Sequence, residues 1–127
     1  MNVLDENIVE SQRQLLRNWG IPVRQIGFEL GRKGMADEEL IPFLLTIRKS
    51  TLLTRDLGLY DRSLCHAQYC LAILAVRQQE TGYFIRAFLR HPAFSTKATR
   101  MGAVVRVMHT GLGLWRLNSH REIRINW

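Results

Sequence analysis

Short apolar runs alternate along the first half of this chain with longer stretches whose apolar residues recur every three or four positions. Val3 to Asp5 opens a strand at once, and Ile8 to Trp19 follows at helical spacing, with Ile8, Leu15, Leu16 and Trp19 on the apolar face. Gly20 stops that helix. Ile21 to Ile26 alternates by two and predicts a second strand, with Pro22 tolerated near its start. The three glycines between Gly27 and Gly34 mark a loop. Asp37 then stands in an N-cap position before a helix face of Leu40, Ile41, Phe43, Leu44, Leu45 and Ile47. Ser50 to Thr54 reads as a third, buried strand. Two successive βαβ units predict a parallel sheet.

The second half is read in the same way. Tyr69 to Val76 suits a buried fourth strand in length and residue type, with a single helix over Leu64 to Val76 as the competing reading. Thr81 caps a helix through Tyr83, Phe84, Ala87, Phe88 and Leu89, which His91-Pro92 ends. Ser95 or Thr96 starts another, through Met101, Val104, Val105 and Met108, closing at Gly111. Leu112 to Leu117 and Glu122 to Trp127 flank a polar stretch and predict a C-terminal hairpin.

Composition narrows the class. The 127 residues fit one domain spanning 1–127, and 46% hydrophobic with 23% charged residues is ordinary for a folded globular chain. The longest apolar run, Cys70 to Val76, is far short of the ~20 residues of a membrane span, so no membrane crossing is expected. The first residues lack a basic segment and a cleavable apolar one, which points to the cytoplasm. Cys65 and Cys70 have neither Cys-x-x-Cys spacing nor a His partner and read as free thiols.

The net charge of +7 is unevenly placed: residues 81–127 hold eight Lys/Arg against Glu122 alone, whereas nine of the eleven acids fall in residues 1–61. A basic surface attracts phosphate polymers by counterion release, and Arg86, Arg90, Lys97 and Arg100 are the candidate nucleic-acid contacts. Simple solubility is the plainer explanation of the same charge.

The acids carry the candidate chemistry. Asp5 ends the first strand and Asp56 follows the third. Asp37 and Glu38 open the helix between the second and third strands, while Glu6 and Asp61 lie in adjoining loops. In a parallel sheet these positions share the carboxyl edge, where ligands gather. Two to four carboxylates in a cleft suit Mg²⁺ or Mn²⁺, which prefer oxygen ligands and keep several waters. Taken singly, Asp37 is an ordinary N-cap and Glu38 a dipole-favouring residue. Asp5 and Asp56 are harder to explain structurally, because an acid directly after a buried strand is costly unless solvated, hydrogen-bonded or metal-bound. No nucleotide-binding glycine loop is present, and the four histidines have no Ser or Cys partner at a recognised spacing.

Val3-Leu4-Asp5-Glu6-Asn7, Ala36-Asp37-Glu38-Glu39-Leu40 and Leu52-Leu53-Thr54-Arg55-Asp56, in this order, resemble the PIN-like nuclease domains. The nearest likeness is to the small bacterial subgroup with a Leu-Asp-Glu-Asn start, which includes toxins of toxin–antitoxin pairs. The resemblance covers residues 1–61. It implies a PIN-like three-layer α/β/α domain with a mainly parallel central sheet, and a Mg²⁺- or Mn²⁺-dependent endoribonuclease acting on RNA. It further implies a homodimer and a small antitoxin protein as partner. Asp5, Asp37 and Asp56 match the family's acidic positions, with Glu6 and Glu38 adjacent. The family often has a further acid two residues after the third-strand Asp, where this chain has Gly58; Asp61 is the candidate substitute. The alternative expectation is a catalytically degenerate relative that binds nucleic acid or protein without cutting.

Overall fold

A computed structural model describes residues 1–127. Its strands are β1 (Asn2–Leu4), β2 (Arg24–Gln25), β3 (Ser50–Thr54), β4 (Tyr69–Leu74), β5 (Ala103–Met108), β6 (Gly111–Arg116) and β7 (Ile123–Ile125). The helices are α1 (Glu10–Asn18), α2 (Asp37–Leu45), α3 (Thr81–Arg90) and the single-turn α4 (Lys97–Arg100). All seven strands form one sheet in the order β2-β1-β3-β4-β5-β6-β7. The first five run parallel, and β6 and β7 add antiparallel at one edge. The protein is an α/β fold with a C-terminal hairpin.

The strand pattern explains the layers. Successive side chains point to opposite faces, so Leu4, Leu53, Cys70, Ala72, Leu74, Val105 and Val107 belong to one core with Leu16 of α1 and Ile85 and Phe88 of α3. Val3, Leu52, Tyr69, Leu71, Ile73 and Val104 belong to a second core with Leu44 of α2. Every residue of β3 and β4 is buried, as expected for central parallel strands covered on both faces. The expected third and fourth strands therefore form at Ser50–Thr54 and Tyr69–Leu74, and the alternative helix over Leu64 to Val76 does not.

Three expectations need correction. Thr81 is the first residue inside α3 rather than its N-cap, which is Glu80, and its hydroxyl donates back to Arg77 O. The segment after Thr96 is helical only over α4: Thr96 and Thr99 cap it reciprocally, and Gly102, at φ +85°, turns the chain into β5. Met101, Val104, Val105 and Met108 happen to fit helical spacing, yet Ala103 to Val107 insert between β4 and β6 and are buried except for half-buried Arg106. The β-branched valines suit that two-sided burial. The second strand is also shorter than its alternation suggests, with only Arg24 and Gln25 pairing with β1.

Candidate functional site

The sheet order reverses between β1 and β3, since the chain moves outward from β1 to β2 and returns to the other side of β1. The two connections leave to opposite faces: Ile8 and Leu16 after β1 pack into the first core, and Leu59 after β3 into the second. Such a divergence opens a crevice at the carboxyl ends of the strands. A cleft of about 280 Å³ lies here, lined by Asp5, Glu6, Asn7, Asp37, Arg55 and Asp56, with Ile26 and Leu59 among its apolar residues. Four of the six acids singled out by position thus meet in one place.

Thr54, the last residue of β3, ties the two strand ends together. Its fully buried hydroxyl accepts from the Asp56 backbone N–H at 3.1 Å and donates to Asp5 Oδ2 at 2.7 Å. The Asp5 N–H extends the pairing by donating to Leu53 O at 3.0 Å. Asp56 Oδ1 accepts from Gly58 N–H at 3.0 Å in the turn that follows. Asp5 Oδ1 and Asp56 Oδ2 are left without a protein partner. Gln25, buried at the end of β2, supports the loop after β1 by donating its amide to Asp5 O at 3.0 Å and Ile8 O at 2.7 Å.

Glu6 takes the Gly34 N–H on its carboxylate at 2.9 and 3.2 Å, drawing the 27–34 loop against the cleft. Asp37 lies inside α2 as its first residue, and Ala36 is the N-cap, with no side-chain cap bond. The expected capping role is therefore not the one Asp37 plays. Its carboxylate makes no hydrogen bond within the protein and faces the cleft from a helix N-terminus, a position that favours negative charge.

Asp61 and Glu38 do not line the cleft. Asp61 is exposed and turns back on its own segment, accepting from Ser63 Oγ at 2.8 Å and Ser63 N–H at 2.9 Å. These bonds, the side-chain one foremost, hold its carboxyl below the usual range. Asp61, the expected substitute for an acid at the Gly58 position, lies outside this cleft. No three His, Cys, Asp or Glu side chains stand within reach of a common ion. The donor chemistry still fits a hard cation, because Mg²⁺ is commonly held by one or two carboxylates and several waters. Asp5 and Asp56 supply that pair, each with a free oxygen.

Three polar residues at the cleft were not singled out by position: Arg55 and Asn7, which line it, and Thr54, buried behind it. Arg55 sits between Thr54 and Asp56 and donates Nε and Nη2 to Val76 O at 3.2 and 3.1 Å, which holds a cation beside the acids. Their signal was adjacency: each lies within two residues of an acid already chosen.

The basic candidates do not border this cleft. The Arg86 guanidinium lies 3.7 Å from the centre of the Trp19 ring, and Arg90 ends α3. Lys97 and Arg100 line a separate cavity beside Asn2, at the amino end of β1. Arg100 is only 7% exposed, with Nε on Thr51 Oγ1 and Nη1 on Phe94 O. Arg100, expected as a nucleic-acid contact, is thus not a freely exposed cation: its position between α4 and β3 buries most of it. Comparisons with protein-family models, with curated proteins and with solved structures returned no match.

Proposed function

We propose that this chain is a PIN-like nuclease that hydrolyses RNA phosphodiesters with a Mg²⁺ or Mn²⁺ ion held at the β1/β3 cleft. The observation that supports this most is the Thr54 hydroxyl bridging Asp56 N–H and Asp5 Oδ2, which ties the Asp5 carboxylate to the backbone of Asp56 where both residues line one cleft. Asp5 Oδ1 and Asp56 Oδ2 are the oxygens that would hold the ion. When bound, it would activate water and offset charge on the phosphodiester. Asp37, with no internal partner, would orient the attacking water and take its proton as the new P–O bond forms and the P–O bond to the leaving ribose oxygen breaks, that oxygen taking a proton from solvent. Arg55 binds a phosphate oxygen, and Ile26 and Leu59 limit water on the apolar side of the cleft.

No helix is long and apolar enough to cross a membrane. The toxin role, the antitoxin partner, the homodimer and a cytoplasmic location rest on the family resemblance alone.

The expected result is Mn²⁺ binding by calorimetry and RNA cleavage that falls about a hundredfold or more in Asp5→Asn and Asp56→Asn, with melting preserved. Undiminished cleavage in Asp5→Asn would refute the assignment. A second reading, a relative that binds without cutting, is favoured by the lack of three acids within common reach and by the outward turn of Asp61. It predicts RNA binding with no carboxylate-dependent Mn²⁺ uptake.

A further inference from the structure

A cavity of about 590 Å³ lies at the amino end of β1, roughly 10 Å from the acidic cleft if the Asn2 to Asp5 spacing is taken at strand rise. Four cationic side chains line it, Arg17, Arg24, Lys97 and Arg100, together with Met1, whose α-ammonium faces Lys97; Ile21 and Val23 are among its apolar residues and it holds no acid. Arg17 is paired with Glu29. Arg24 and Lys97 are exposed and make no ion pair.

Arg100 is the unusual member. It is 7% exposed, and no carboxylate pairs with it. Two of its nitrogens are held by Phe94 O and Thr51 Oγ1, while Nη2 has no partner in the protein. Burying a cation without a counter-ion is costly, and the cost is recovered when an anion completes its shell. The fixed guanidinium plane is also suited to bidentate contact with phosphate.

We propose that this cavity is a second ligand site, which takes the phosphate monoester end of a nucleotide, either free or as the 5′ end of an RNA. Three cations without carboxylate partners match a dianion of about −1.5 to −2 charge better than a singly charged carboxylate. Ile21 and Val23 offer apolar surface to the sugar or base, and the volume falls in the ~300–1,000 Å³ range of small-molecule sites. The inference does not depend on the nuclease reading, because it uses no residue of the acidic cleft.

Calorimetry at low salt with nucleoside 5′-monophosphates, unphosphorylated nucleosides, inorganic phosphate and 5′-phosphorylated or 5′-hydroxyl oligoribonucleotides tests it. Monophosphates or the 5′-phosphorylated oligonucleotide should bind, and their unphosphorylated counterparts should bind far more weakly. Binding of the phosphorylated oligonucleotide without the free monophosphate identifies an RNA end as the ligand. Arg24→Gln and Lys97→Gln, both at exposed positions, should each weaken binding about fivefold or more. Asp5→Asn and Asp56→Asn should leave it unchanged even if they abolish cleavage. The proposal is overturned if no phosphorylated probe binds, if the Arg24→Gln/Lys97→Gln double variant binds normally, or if Asp56→Asn removes binding. Inorganic phosphate binding as tightly as the nucleotides would overturn the nucleotide assignment.

Discussion

Replacing Thr54 by valine would keep the β-branched shape in a fully buried strand position and delete only the hydroxyl that joins Asp5 to Asp56. The loss has two parts. The Asp56 N–H loses its acceptor in a half-buried site, at a cost of about 1–2 kcal/mol. The Asp5 carboxylate loses a 2.7 Å bond but opens onto the cleft, where water replaces the donor, so this part costs about 0.5 kcal/mol. The sum, about 2 kcal/mol, lowers the melting temperature of a domain this size by roughly 8 °C. Because the hydroxyl also orients Asp5, Mn²⁺ affinity should fall about 10–100-fold. Thr54→Ser retains the hydroxyl and should recover most of the metal affinity. Differential scanning calorimetry and Mn²⁺ titration read the two effects separately. A Thr54→Val variant with native melting temperature and native Mn²⁺ affinity would show that the bridge neither stabilises the strand ends nor builds the site.

Other outcomes follow from the same structure. Gly111 has φ +143°, and a Cβ there would lie 2.3 Å from Ile125 O, so Gly111→Ala should detach β7 and cost roughly 3 kcal/mol or more, read by thermal melting. A melting point within two degrees of the parent's would contradict this. Burial pushes the Cys70 thiol up to about 12 and, with Glu122 adding to it, raises the Tyr60 hydroxyl. An acid whose folded pKa is raised keeps its proton while the unfolded chain ionises, so stability is full below the unfolded pKa and falls as pH rises. Melting temperature should decline from about pH 9 upward, and Cys70→Ala should flatten that slope; an identical slope in the variant would discount the thiol. In the native state Cys70 should resist iodoacetamide at pH 8 and react after denaturation, as mass spectrometry would show.

Much of the framework was legible in local pattern. β4 appears where a continuous apolar run of strand length lies, β3 where Leu52-Leu53 stand among β-favouring Thr residues, and α3 where Thr81 starts and His91-Pro92 ends a helical repeat. The acids at the ends of β1 and β3 were readable because a parallel sheet puts both on one rim. β5 was not readable as a strand: helical spacing and strand run coincide in Met101 to Met108, and only the slot between β4 and β6 decides between them.

Charge placement shows the same division. The sequence fixes how many cations follow residue 80, but not that Arg100 folds inward onto Thr51 and Phe94 while Arg86 covers Trp19. Likewise, Asp61 and Asp37 look alike as acids that a parallel topology could bring to the carboxyl edge of the sheet. Asp61 closes a turn on its own neighbour Ser63, whereas the start of α2 carries Asp37 to the cleft that Asp5 also lines. The chain alone thus determined the succession of strands and helices and which residues carry charge, because hydrogen-bonding period and burial preference are local properties. Which charges meet, which are buried and which turn away was settled by the sheet order, since only packing brings residues fifty positions apart to the same crevice.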